Sequence, residues 1–262
     1  MKRLWLGIAL LLSLTACVGK LDDPEELAAQ EDFLEEAGAE SGTRYYHRVL
    51  ALEFTATWCQ YCPAMQQALD LARALRPGRI VHLAVHQYDE MSPLEADALV
   101  ERYQIGAFPQ LVLDADAATL FSEPDASRIT TYVDKVKGND APGLAAESAL
   151  EGEVLHLSVH VRPLDETPLR VCAAVVEDGI EAFQQGVGNW YRHHAVLRGY
   201  LDGGLDGLPL PAPKDGEASL SITAPVPSVP EHSRLVVYLL QEGRAVNALT
   251  LGLTDKKDYR YE

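Results

Sequence analysis

Residues 53–65 read EFTATWCQYCPAM, with two cysteines three apart behind a tryptophan and directly before a proline. Residues i and i+3 of a helix share a face, so Cys59 and Cys62 lie within disulfide reach. The segment leading in, RVLALEFTA (48–56), is a short, almost continuous apolar run, the pattern of a strand buried on both faces. The segment leading out, YCPAMQQALDLARAL (61–75), has Ala64, Leu69, Ala72 and Leu75 among apolar positions at helical spacing and stops at Pro77-Gly78. Cys59 is therefore expected at a helix N-terminus, where unpaired N–H groups and the positive dipole end favour a thiolate. Cys62, one turn in, is expected to be the shielded thiol. Pro63 falls in the first turn, where a missing N–H costs nothing.

Two other readings of the pair compete. A zinc site needs four ligands; no second CxxC supplies them, and His82 or His86 would have to contribute. A permanent staple is the stronger competitor, because the leader described below points to an oxidising compartment. Yet this spacing closes a very small loop, and the stabilisation from a cross-link grows with loop length. The pair reads as redox-active, with no metal expected. Glu53 lies between Leu52 and Phe54 in the doubly covered strand. Its carboxylate is expected to be partly desolvated and fit to take the proton of the second thiol. The role of His82, on the neighbouring strand, stays open.

Further along, RIVHLAVH (79–86) reads as a strand and SPLEADALVERYQI (92–105) as a helix capped by Ser92. PQLVLDA (109–115) is a third strand, TLF (119–121) a short hairpin partner, and DASRITTYVDKVK (125–137) a closing helix. In this order, β-α-β-α-β-β-α, TWCQYC and the later GAFPQLVL resemble a thioredoxin-like domain over about residues 44–140. The resemblance implies that Cys59 attacks and Cys62 resolves, and that Glu53 is the buried acid beneath the pair. It also implies that Pro109 is cis and that the Phe108 backbone pairs with a bound peptide by extending a strand. Trp58, Tyr61, Phe108 and Pro109 are the candidate partner contacts. No cofactor is implied beyond the Cys59–Cys62 disulfide itself. Gln60-Tyr61 lacks both the histidine of strong oxidants and the Gly-Pro of thioredoxin proper, so oxidant, reductant and isomerase stay open. Thiol peroxidases of this fold resemble a different threonine-to-cysteine spacing.

GNDAPGLAAES (138–148) reads as a linker, and beyond it the apolar period becomes two. EVLHLSVHVR (153–162), LRVCAAVVE (169–177), ASLSITA (218–224), RLVVYLLQ (234–241) and RAVNALTLGL (244–253) are expected strands of an all-β sandwich, immunoglobulin-like, over 141–262. GNWYRHHAVLRGYLDG (188–203), with Glu53-Phe54-Thr55, Trp58-Cys59 and Cys62-Pro63, resembles a family of outer-membrane lipoproteins related to a twenty-eight-kilodalton outer-membrane protein. That resemblance implies this architecture and an envelope location, and lends little to mechanism. His193, His194 and Arg198 are a possible polar site with Trp190 or Tyr191 as a contact, though structural roles at a strand edge or loop fit them better. His156 and His160 are no metal pair, since four residues of strand separate them by about 13 Å. Cys172, among Val171, Ala173 and Ala174, reads as an inert buried thiol.

The chain opens with a basic Met1-Lys2-Arg3 and an apolar run from Leu4 to Leu14. A bilayer span needs roughly 20 residues, so this run suits a signal peptide instead. It ends in Leu14-Thr15-Ala16-Cys17, which looks like a bacterial lipobox; lipidation of Cys17 would anchor the chain to a membrane. Between residues 18 and 43, nine acidic residues stand against Lys20 alone, the composition of a solvated tether. The whole chain, 262 residues with a net charge of −17, repels phosphate backbones, which sets nucleic acid aside. The sequence thus describes an envelope lipoprotein, outer-membrane and facing the periplasm or the cell surface. Its expected partners are protein or small-molecule thiols and disulfides. The competing description is a binding or structural lipoprotein with an idle pair.

Overall fold

The computed structural model describes residues 38–262; the leader, Cys17 and the tether up to residue 37 lie outside the described residues. The first half is built from β1 (Val49–Thr55), α1 (Cys62–Leu75), β2 (Ile80–His86), α2 (Ala96–Tyr103), β3 (Gln110–Leu113) and α3 (Ala126–Lys137). β1 and β2 are buried at every position, as continuous apolar runs require, and they pair in parallel from Val49↔Ile80 to Thr55↔His86. β3 runs antiparallel to β1. α1 packs Met65, Ala68, Leu69 and Ala72 against this sheet and α3, whereas Ala64 and Leu75 of the expected face are exposed.

Three local expectations need correction. α2 begins at Ala96 after Glu95, with no side-chain cap; the Ser92 hydroxyl instead accepts from the Asp89 backbone N–H at 2.9 Å, closing a turn ahead of the helix. The 119–121 strand reduces to one bridge between Leu111 and Phe121. Asp116 caps a 3-10 turn over Ala117–Thr119 there, accepting from the Ala118 N–H. The 138–148 linker ends early, since residues from Gly143 onward are strand. Gly143 lies flat against the Tyr45 ring, where a Cβ would come within 2.8 Å of ring atoms.

The second half supplies β4 (Gly143–Glu151), β5 (Val154–Arg162), β6 (Leu169–Glu177), β7 (Ile180–Gln184), β8 (Gly188–His193), β9 (Val196–Tyr200), β10 (Leu208–Pro209), β11 (Ala218–Pro225), β12 (Ser233–Gln241), β13 (Arg244–Leu251) and β14 (Lys256–Lys257). β11, β5, β4 and β14 form a four-stranded sheet. The other large sheet runs through both halves of the chain in the order β13-β12-β6-β9-β2-β1-β3, with β10 added to β6. β9 makes the junction, antiparallel to β6 and parallel to β2 through Ala84↔Val196. The sheet curls until its ends meet, the Ala245 N–H donating to the Asp114 carbonyl at 2.8 Å. Leu50, Leu52, Phe54, Val236 and Tyr238 share the core inside the curl with Leu99 and Tyr103 of α2. On the opposite face, Val171, Val175, Val237 and Leu249 pack against Leu155, Leu157 and Val159 of the smaller sheet. The period-two pattern of β5 is the sequence signature of that interface. β7 and β8 stand apart as a two-stranded hairpin, and its position defines the candidate site.

Candidate active site

β1 delivers the chain to a loop, residues 56–61, that carries Cys59 and turns into α1. Cys59 and Cys62 are joined as a disulfide with Cα atoms 5.5 Å apart. The helix begins at Cys62 itself, so Cys59 stands one turn ahead of it rather than at its first position. Turn hydrogen bonds hold that loop, from the Cys59 N–H to the Ala56 carbonyl at 3.1 Å and from the Cys62 N–H to the Cys59 carbonyl at 3.4 Å. Both cysteines are buried, at 4% and 1% exposure, so Cys59 is nearly as enclosed as Cys62.

One wall of the disulfide is the strand entry at β3. The peptide bond between Phe108 and Pro109 is cis. The Phe108 ring packs on Ala56, Cys59 and Cys62, and stands edge-on to Trp58 at 5.3 Å. Trp58 is half-exposed and donates its indole N–H to the Gln87 carbonyl at 3.0 Å; Tyr61 is largely exposed. These four residues therefore lie around the pair.

Beneath it, Glu53 and His82 are paired across β1 and β2, Oε2 to Nε2 2.9 Å, both side chains 1% exposed. Glu53, Cys62 and Pro63 line a cavity of about 10 Å³, room for about one water, together with His86, Tyr191 and His193. Glu53 Oε1 and His193 Nε2 have no hydrogen-bond partner among the described residues. Burial, with the neighbouring His86 adding to it, pushes His193 down to about 3 and keeps its ring neutral. His86 bonds Asp89 at 2.8 Å. Burial opposes the Asp89 charge, but His86 and the N–H groups of Thr57 and Met91 outweigh it and hold that carboxyl below its ordinary value. Tyr191 is raised, by burial first and by the Glu53 carboxylate second.

Tyr191 and His193 belong to the β7–β8 hairpin, more than 120 residues downstream of the pair. The same hairpin grips the cysteine loop from its other strand. The Gln184 side-chain amide donates to the carbonyls of Cys59 at 2.7 Å and Ala56 at 3.2 Å, and the Gln185 N–H donates to the Thr57 carbonyl at 2.7 Å. Gly186 presses against Gln60, where a Cβ would stand 2.9 Å from the backbone oxygen. Sequence reasoning missed Gln184 entirely, since a single glutamine carries no signature. The aromatic and histidine density of 188–203 was the available signal for Tyr191 and His193. The possible His193-His194-Arg198 site, which the sequence reading ranked below structural roles, divides: His193 and His194 line the cavity, while Arg198 pairs with Glu177 at 3.4 Å and Trp190 is exposed. Cys172 is fully buried and its thiol is pushed up to about 11 by that burial. Among the described residues, no group of three or more His, Cys, Asp or Glu side chains is placed to hold a metal ion.

Fold and site together define a thioredoxin-like architecture with a CxxC disulfide, extended by a β-rich half. Among solved structures, the chain is similar to HBP35 of Porphyromonas gingivalis, with a TM-score of 0.70 and 19% identity over 81% of this chain and 77% of that one. It is also similar to a protein of Agrobacterium tumefaciens, with a TM-score of 0.53 and 14% identity over 83% of this chain and 98% of that one. At these identities the likeness speaks for the fold alone. No family model matches the chain, and no curated protein matches it in sequence.

Proposed function

We propose that the protein is a cell-envelope lipoprotein that exchanges disulfides with protein or small-thiol partners through Cys59 and Cys62. The observation that carries this reading is the placement of the disulfide over the buried Glu53–His82 pair, beside Phe108-Pro109. A disulfide kept only as a staple has no use for a buried proton acceptor. In the reduced protein, the Cys59 thiolate attacks one sulfur of a partner disulfide; that S–S bond breaks, and the partner's other sulfur leaves as a thiolate. The Cys62 thiol then gives its proton to the Glu53 carboxylate, and its sulfur attacks Cys59 Sγ. The mixed disulfide breaks, the partner's second thiolate is released and protonated, and Cys59–Cys62 is oxidised as the partner is reduced. The reverse sequence oxidises a dithiol partner. Phe108 and Pro109 offer the backbone that aligns a partner strand, with Trp58 and Tyr61 flanking it.

In this reading Cys17 carries the lipid that anchors the chain, in the outer membrane, and the protein belongs with the twenty-eight-kilodalton outer-membrane lipoproteins. Residues 44–140 form the thioredoxin-like unit, and 141–262, an immunoglobulin-like sandwich, display or dock it. The enclosure of Cys59 and the grip of the β7–β8 hairpin favour one rival, a binding lipoprotein with an idle pair. The reduction potential of Cys59–Cys62, measured by equilibration with thiol buffers, separates the two. Exchange-active pairs span about −120 to −270 mV, and structural disulfides lie below about −300 mV. A value in the upper range is expected, and one below about −300 mV would favour the rival.

A further inference from the structure

The reaction proposed above uses Glu53 and leaves a second buried polar group of the same cavity without a task. His193, on β8, is 5% exposed, and its Nε2 has no hydrogen-bond partner among the described residues. Among the residues lining this cavity, the other buried atom in that position is Glu53 Oε1. An unpaired buried polar atom is costly, and most such atoms in folded proteins are paired to protein or to ordered water. A cavity of about 10 Å³ is the size of one water, and a buried water needs two to four polar partners. Glu53 Oε1 and His193 Nε2 supply two.

Both groups are held for such a part. The His193 ring stands edge-on to those of His86 and Tyr191 at 5.1 and 4.8 Å. Its strand is paired to β7, whose Gln184 amide grips the Cys59 carbonyl at 2.7 Å. Glu53 has its Oε2 engaged by His82 at 2.9 Å, which leaves Oε1 as the oxygen that can receive a proton. Burial keeps the His193 ring neutral, so it does not compete with Glu53 for that proton. We infer that His193 is a positioning residue for the resolving step: its Nε2 and Glu53 Oε1 hold one water beside Cys62, and the proton of the Cys62 thiol reaches Glu53 through it. The S–H bond of Cys62 breaks as an O–H bond forms on the water, and a proton of that water passes to Glu53 Oε1. The water is restored, and the sulfur attacks Cys59 Sγ. This inference rests on the exchange reading above and adds that the second half of the chain completes the site, since residues 44–140 carry Glu53 and Cys62 but not His193.

Stopped-flow reaction of the reduced full chain with dipyridyl disulfide, whose released thiopyridone absorbs light, tests this. Attack by Cys59 releases the first thiopyridone and resolution by Cys62 the second, and only the second step is independent of concentration. His193→Phe keeps an aromatic ring and removes the nitrogen, His193→Leu removes it a second way, and His193→Gln keeps a polar group there. At pH 7 the second release should slow about tenfold in the Phe and Leu chains, with the first unchanged, and stay within about threefold of the natural rate in the Gln chain. The deficit should close as pH rises past about 8.5, where the thiol ionises unaided. Facing the two groups are His82 and His86 of β2, Asp89 beyond it, Asp70 of α1, and Tyr191 and His194 beside His193. All are common to the chains compared, so the difference between their profiles isolates Cys62. On a Glu53→Gln background, His193→Phe should change the second release by less than about twofold, because it acts through Glu53. An unslowed second release, equal slowing of both releases, a Gln chain as slow as the Phe chain, a deficit constant with pH, or additive losses with Glu53→Gln would each overturn the inference. A natural chain that gives no first release would defeat the exchange reading itself, and the inference with it.

Discussion

At the scale of single residues, the decisive feature is a glutamate where a strand core calls for an apolar side chain. Glu53 is enclosed as fully as its neighbours Leu52 and Phe54, and its one hydrogen-bond partner among the described residues is His82. Burying a carboxyl costs several kcal/mol unless it is compensated, so its place beside Cys62 asks for a use. We propose that deprotonating the resolving thiol is that use. Glu53→Gln keeps the shape of the side chain and removes the acceptor. The variant should exchange disulfides at neutral pH about 10²-fold more slowly, within the usual range for loss of a general base. The deficit should shrink as pH rises past about 8.5, where a thiol ionises unaided. Stopped-flow exchange with a model disulfide across pH reads both effects. An unchanged rate, or a deficit constant with pH, would remove Glu53 from the proton path.

Elements are joined here by contacts of high sequence separation, and two of these joints can be tested. The β7–β8 hairpin fixes the cysteine loop through Gln184 and walls the cavity with Tyr191 and His193. The seam between β3 and β13 closes the large sheet and centres on Asp114, whose carboxylate accepts from the Leu50 N–H at 2.9 Å and the Tyr132 hydroxyl at 3.1 Å. Burial raises Asp114 to about 7 against those bonds. The folded chain therefore holds this proton up to about pH 7, while the unfolded chain releases it near pH 4. Stability from this group is full below about pH 4 and is lost as pH rises to about 7, by up to about 4 kcal/mol. Asp114→Asn keeps an oxygen for Leu50 and does not titrate. In urea melts the variant should gain stability relative to the natural chain steadily from pH 4.5 to 7.5. A difference that is flat with pH would show that Asp114 titrates normally.

The whole molecule combines what was legible in sequence with what was not. The buried runs of β1 and β2 and the alternation of β5 announced their strands, because side-chain period reports which faces are covered. The reach of Cys59 to Cys62 and the burial of Glu53 were legible in the spacing and the apolar run around them. The cis bond at Pro109 came only from the resemblance to a thioredoxin-like domain. What could not be read was the pairing of β9 with β2, which runs one sheet through both halves, and the hairpin's reach back to Ala56 and Cys59. Those contacts span over 100 residues, and β7, β8 and β9 are too short to carry a strong period. The 143–148 strand was hidden by its glycine and alanines, which suit a close approach to Tyr45 as readily as a linker. The central claim is that this assembly trades disulfides with partners, and a trapping experiment meets it most directly. A full-length chain carrying Cys62→Ala and Cys172→Ala is expressed in its native cell, and whole-cell extracts are run on non-reducing gels. Without Cys62 the mixed disulfide cannot be resolved, so adducts on Cys59 should accumulate and clear with reductant. A lane no different from that of the Cys59→Ala, Cys62→Ala, Cys172→Ala control would contradict the account.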